Sequence, residues 1–308
     1  MNVISAERPA YGASMIVGGM MLIGVVDNFV RVAAEDIGLW QFHAIRATLA
    51  IPLIFAAAAL FRRRLRPARW RGPILRTALV VASMLLYFGS LPLAPIAQVG
   101  AGLFTSPIWV LVFSVALFRE PVGPRRVGAV AIGFIGALVI LRPWDAAFTG
   151  WSLLPIAAGA FYAMGMIVTR RMCADEPPLA LNLMFFSGLG AAGLIGLVVL
   201  SAFPAPELAA EAPFFFTGWV WPMATASWGV VAMQAASSVV AVLMLTIGYQ
   251  SAETTQMTLF EYSFLISASL AGYVIWGERL DAVSFIGIAL VVAAGAFIAI
   301  RGGAAART

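Results

Sequence analysis

The chain has 308 residues, a single histidine and a single cysteine; all 19 of its basic residues are arginine, so lysine is absent. Each absence removes a class of function. Without a Schiff-base lysine the chain is no retinal photoreceptor. One His (His43) and one Cys (Cys173) cannot build the nitrogen- and sulfur-rich set that holds zinc, so no metal is expected. A lone cysteine implies no disulfide within the chain. No paired acidic motif, no histidine cluster and no Ser–His–Asp set is present. The chain is therefore read as not an enzyme and without a cofactor, with an integral membrane enzyme as the remote alternative. Charge is scarce too: 11% of residues are charged, against about 25% in soluble domains.

What is abundant is apolar length. The chain is 62% hydrophobic, with a mean hydropathy of +0.96. Stretches of about 20 apolar residues match the hydrocarbon thickness of a bilayer. Ten can be read, at about 11–32, 37–60, 74–91, 96–118, 125–142, 150–169, 179–201, 225–248, 252–275 and 282–300. The expected fold is an all-α membrane protein of ten transmembrane helices. The longest connection, about 202–224, is rich in Pro and aromatic residues (Phe214, Phe215, Phe216, Trp219, Trp221), as in loops that settle at a membrane interface. The first apolar run has no convincing small-residue cleavage site after it and is read as a retained helix.

The arginines orient the spans. Arg62, Arg63, Arg64, Arg66, Arg69, Arg71 and Arg76 are read as one cluster between the second and third spans. Arg119, Arg125 and Arg126 follow the fourth, and Arg170 and Arg171 the sixth. With ten spans all fall on one side, the cytoplasmic one, and both termini lie inside. The net charge of +5 is this bias and not a nucleic-acid surface. The partners expected are a small-molecule substrate, the lipid bilayer and protons, with the chain a monomer or weak dimer.

One pattern occurs twice. Residues 117–143 and 275–302 each end an apolar run, pass a Glu (Glu120, Glu278) and a short charged turn, and continue in a glycine-spaced apolar helix. The copies stand about 158 positions apart, and duplication on that scale marks membrane transporters. It divides the chain into 1–149 and 150–308. Five spans per half is an odd number, so the second half enters the membrane from the opposite side: two inverted five-helix repeats. Glu120 and Glu278 are read as anchors or hinges beside arginines. Gly128, Gly136, Gly287 and Gly295 are read as points of close helix contact.

The helix–Glu–turn–glycine-rich helix at the end of each half resembles the drug/metabolite transporter superfamily, in its EamA-type branch. Arg46 in the second span resembles that family's early Arg. Thr105-Ser106-Pro107, followed by Phe118-Arg119-Glu120, resembles its Pro and Glu positions, whereas Leu265 stands where Pro107 aligns in the second half. The resemblance implies a secondary transporter of the inner membrane working by alternating access. Its substrate is expected to be an amino acid or related amphiphilic metabolite, exported. The alternative is uptake of a larger metabolite such as S-adenosylmethionine or riboflavin.

Ionisable groups inside spans are costly and usually face a cavity. Glu261, in the middle of the ninth span, is either a substrate or proton site or a fixed ion pair with Arg46. Asp27 and Arg31 are four apart on one helical face and are expected to pair. His43, with Arg46 three residues on, is a hydrogen-bonded structural residue or a proton relay. The substrate cavity is thus expected to draw on Glu261, Arg46, His43, Asp27, Tyr87, Gln98, Trp109, Tyr162 and Tyr262, with proton coupling through Glu261, Asp27 or His43.

Overall fold

A computed structural model describes residues 8–93, 96–117, 119, 123–141, 150–278 and 282, 283, 285–287, 289, 290 and 293. Its described regular structure is entirely helical. In hydrocarbon a backbone must satisfy its own polar groups, and a helix does this within one segment. The apolar runs accordingly become α1 (Pro9–Ala34), α2 (Leu39–Leu60), α3 (Arg71–Ser90), α4 in two pieces (Ile96–Leu103 and Ser106–Ala116), α5 (Pro124–Leu141), α6 (Leu154–Met172), α7 (Pro178–Ala202), α8 (Thr225–Ser251) and α9. Five of these, α1, α2, α3, α7 and α8, are individually long and apolar enough to cross a membrane. Of the tenth expected span only scattered residues are described.

α9 is broken: Thr254–Met257, then a 3₁₀ turn Phe260–Tyr262, then Ser263–Trp276. α4 breaks at the aligned place, just before Ser106-Pro107. There Pro107 cannot donate a backbone hydrogen bond, and the Thr105 hydroxyl caps the Gly102 carbonyl at 2.8 Å. α9 has no proline at its break. Its irregular turn is braced by side chains, Thr258 donating to the Glu261 carboxylate at 3.2 Å. α1 tightens to 3₁₀ geometry at Asp27–Phe29. The Asn28 side chain takes the Gly24 carbonyl at 2.7 Å and the Ala268 carbonyl of α9 at 3.2 Å.

α1 packs against α8 and α9; α6 packs against α3 and both pieces of α4; α2 and α7 pack along each other. Glycine makes the closest approach possible. A Cβ on Gly24 of α1 would lie 2.8 Å from the Phe264 carbonyl of α9, a contact that only a bare backbone avoids. The expectation for Gly128 is not met among the described residues: a Cβ there would meet none of them within 4 Å. Gly295 lies outside the described residues.

Arg76 also departs from expectation. α3 begins at Arg71, three residues before the expected span, and Arg76 is a buried residue within it and not part of the loop cluster. Its guanidinium donates to the Leu181 carbonyl and to the Thr246 hydroxyl, each at 3.0 Å.

The 203–224 connection folds over the ends of α2 and α3 opposite the arginine-rich face. Gln41 holds Val220 from both sides, donating to its carbonyl at 2.9 Å and accepting from its N–H at 2.7 Å. Trp40 donates to the Phe215 carbonyl at 2.7 Å, and Asp36 accepts from the Ala224 N–H at 2.8 Å. The Phe215 ring sits directly on Gly89 and stacks on Trp151. Trp219 and Trp221 stay exposed, as interface aromatics do.

Candidate functional site

A cavity of about 60 Å³ lies at the centre of the helices. Every helix from α1 to α9 except α5 contributes to its wall. Its polar groups form two sets. One holds Asp27, Arg46, Tyr87, Gln234 and Ser238; the other, nearer the arginine-rich face, holds Arg76, Tyr162 and Thr246. Between them the wall is apolar and rich in methionine and phenylalanine: Met20, Met84, Met166, Phe104, Phe185 and Phe264. Arg76 and Tyr87 are 11 residues apart on α3, which at 1.5 Å per residue separates the two sets by about 16 Å.

The first set is a closed network. The Asp27 carboxylate accepts from the Tyr87 hydroxyl at 2.8 Å and from the Gln234 amide at 3.0 Å. The same amide donates to the Val26 carbonyl at 3.0 Å. Arg46 donates through Nε to Ser238 at 3.1 Å, and the Ser238 hydroxyl donates to the Gln234 carbonyl. The Arg46 guanidinium lies 4.7 Å from the centre of the Phe88 ring, with Phe186 at 5.7 Å and Phe42 at 5.9 Å. Aromatic faces attract a cation, and here they help hold one in the interior. Nη1 of Arg46 and Nε of Arg76 are both buried without a hydrogen-bond partner. Each is an unused donor on a residue that lines the cavity.

Glu261 forms a second centre. It is fully buried and accepts from the Tyr162 hydroxyl at 2.5 Å as well as from Thr258. Tyr249 and Ser106 approach the same carboxylate short of hydrogen-bond geometry. Arg46 makes its hydrogen bond to Ser238, not to Glu261, so the fixed Arg46–Glu261 ion pair is absent. The expected Asp27–Arg31 pair is also absent. Arg31 instead reaches Glu278 at 2.5 Å, joining the end of α1 to the end of α9, with its guanidinium 4.5 Å from the Trp276 ring centre. The i, i+4 spacing suggested a local partner, but a distant one is closer.

The other expected site residues stand as follows. His43 is fully buried beside the Phe42 and Phe88 rings, with both ring nitrogens unpartnered, and it does not line the cavity. Trp109 stacks on Phe113 away from the cavity. Tyr262 packs edge-on to Phe104 and close to Gly133 of α5, also off the cavity wall. The Gln98 side chain and Glu120 lie outside the described residues. Arg76, Ser238 and Thr246 were not among the expected cavity residues. Arg76 was legible in principle: the apolar run Gly72-Pro73-Ile74-Leu75 separates it from Arg71. No residue cluster able to hold a metal occurs among the described residues. Burial pushes the Cys173 thiol, just beyond α6, up to about 11 against the pull of Arg76.

Residues 10–142 match the EamA-like transporter family. The chain is 32% identical over 176 residues to a riboflavin transporter of Brucella anthropi, an alignment covering 56% of this chain and 61% of the relative, so it spans about three fifths of that protein's length. It is 25% identical to a riboflavin transporter of Vibrio cholerae over 95% of this chain and 94% of the relative. A solved crystal structure superposes with a TM-score of 0.72 at 18% identity, covering 92% of this chain and 95% of the other, which shows the shared fold. Residues 10–142 thus resemble an EamA-like transporter domain, and over nearly its whole length the chain is similar to proteins that are transporters.

Proposed function

We propose that the chain carries a flat, polar heterocyclic metabolite of the riboflavin kind across the inner membrane by alternating access. The observation that carries this reading is the central cavity, with polar groups about 16 Å apart and methionine and phenylalanine side chains between them. Ligand sites are mainly apolar, with a few orienting polar groups. A planar ring system fills the apolar middle, its carbonyls meet the unused donor of Arg76, and a hydroxylated tail suits the set of Asp27, Arg46, Tyr87 and Gln234. An amino acid is too short to engage both sets at once. The names of the relatives support the larger-metabolite alternative over an amino-acid exporter.

The cavity must enlarge to take such a substrate. At about 60 Å³ it holds roughly two waters, whereas small-molecule pockets run to about 300–1,000 Å³. The packing pattern supports a route. Exchanging α1 with α6, α3 with α8 and α4 with α9 turns the contacts of α1 with α8 and α9 into those of α6 with α3 and α4, and α2 and α7 exchange across their own contact. Two halves related in this way, 1–149 and 150–308, can trade conformations about a midplane site. The arginine distribution supports cytoplasmic termini. The test is riboflavin counterflow in liposomes containing the purified protein. Flux that unlabelled riboflavin accelerates and S-adenosylmethionine or amino acids do not is the expected result; no riboflavin flux alongside flux of another metabolite overturns the reading.

A further inference from the structure

We propose that Glu261 is the binding site of a coupling proton, separate from the substrate cavity and joined to it by Tyr162. The proposal rests on the carrier reading above and adds what drives it. Glu261 is fully buried, and no ion pair reaches it from the described residues. Its hydrogen-bond partners are hydroxyls, Tyr162 at 2.5 Å and Thr258 at 3.2 Å. Taking an isolated carboxylate out of water is costly, and a bound proton removes the charge. Hydroxyls suit such a site because they can donate to the carboxylate and accept from the acid. The orphan hydroxyls of Tyr249 and Ser106 stand at the same place, spare partners for a group that changes between those two forms.

The groups around Glu261 leave the proton little competition. Tyr162 faces it from α6 and Tyr249 from α8; Tyr262 shares its turn, and Ser106 approaches from α4. Helix α1 also packs on this turn, but its charged residues, Asp27 and Arg31, are held by Tyr87 and Gln234 and by Glu278. Arg76 lines the same cavity as Tyr162. Tyr162 lines the cavity, so one hydroxyl connects the acid to the substrate space. The irregular α9 turn that carries Glu261 faces the break in α4, and broken helices are where transporters hold coupling ions. A proton arriving from one side binds the carboxylate oxygen; when the halves exchange conformation it leaves to the other side. No bond other than O–H forms or breaks.

Two measurements test this with wild type, Glu261→Gln and Tyr162→Phe. The first needs no substrate: infrared difference spectra over a pH series. The expected result is a protonated-carboxyl band in wild type that is missing in E261Q; no E261Q-sensitive band at any pH overturns the proposal. The second uses riboflavin in liposomes. One pH unit, acidic on the uptake side, should give up to about tenfold accumulation at one proton per substrate. E261Q should keep counterflow and lose that accumulation. Accumulation unaffected by E261Q, or driven by a sodium gradient in place of a pH gradient, overturns the proposal. Absence of riboflavin flux in wild type sinks the substrate reading alone, and the infrared titration then decides the proton site by itself. If E261Q does not fold, Glu261→Asp, which draws the acid back from Tyr162, should shift the pH midpoint of the band; an unmoved midpoint overturns the proposal.

Discussion

Replacing Asp27 separates its structural part from its part in binding. In Asp27→Ala the buried Tyr87 hydroxyl loses its acceptor, while the Gln234 amide loses one bond and keeps the Val26 carbonyl. The orphaned hydroxyl costs about 1–3 kcal/mol and the lost amide bond about 1 kcal/mol, so D27A should lose roughly 2–4 kcal/mol of stability. Asp27→Asn is milder. One amide oxygen still accepts from Tyr87, and Gln234 can turn over, because its own Oε1 has no partner. The turned Gln234 gives up its bond to the Val26 carbonyl, a loss of about 1 kcal/mol. Substrate binding should suffer more than the fold, because a hydrogen bond to a charged group is worth about 1.5–3 kcal/mol, or about 10- to 150-fold in affinity. The assay is thermal unfolding in detergent for both variants, with riboflavin counterflow for D27N. D27A as stable as wild type refutes the reasoning about the network. D27N with wild-type affinity refutes the assignment of Asp27 to the substrate.

Other expectations follow from single contacts. The Arg31–Glu278 pair is more than a third exposed at both side chains, so Glu278→Gln should cost no more than about 1 kcal/mol; a larger drop in melting temperature than that allows would show the pair is more than a surface contact. Gly89→Leu should displace Phe215 from its seat and leave the 203–224 segment more open to protease, and unchanged cleavage there speaks against the seating. Cys173 should resist maleimide at neutral pH until the protein is unfolded, because its thiol is buried and its pKa raised to about 11. With the raised value on the folded side, the thiol's contribution to stability is complete below its ordinary 9.0 and is lost as pH rises through about 11. Prompt labelling of the native protein counts against that burial.

Much of the architecture was legible in the residues, because long apolar runs leave the backbone one economical structure in lipid. The break in α4 could be read from Pro107. The break in α9 could not: Leu265 replaces the proline, and the turn is braced by the Thr258–Glu261 contact, which no composition rule announces. Glu261 was legible as a costly interior charge, but its partners were not, since Tyr162 is 99 residues away. Arg31 was misread for a related reason: its i−4 neighbour Asp27 was taken as its partner, whereas Glu278 is 247 residues distant. Arg76 was lost among seven arginines that share a stretch of chain yet not a depth in the membrane.

The most direct test of the carrier reading is riboflavin counterflow by the purified wild-type protein in liposomes. The expected result is labelled riboflavin entering faster when unlabelled riboflavin is preloaded, with neither S-adenosylmethionine nor amino acids substituting for it. Entry no faster than into protein-free liposomes contradicts it.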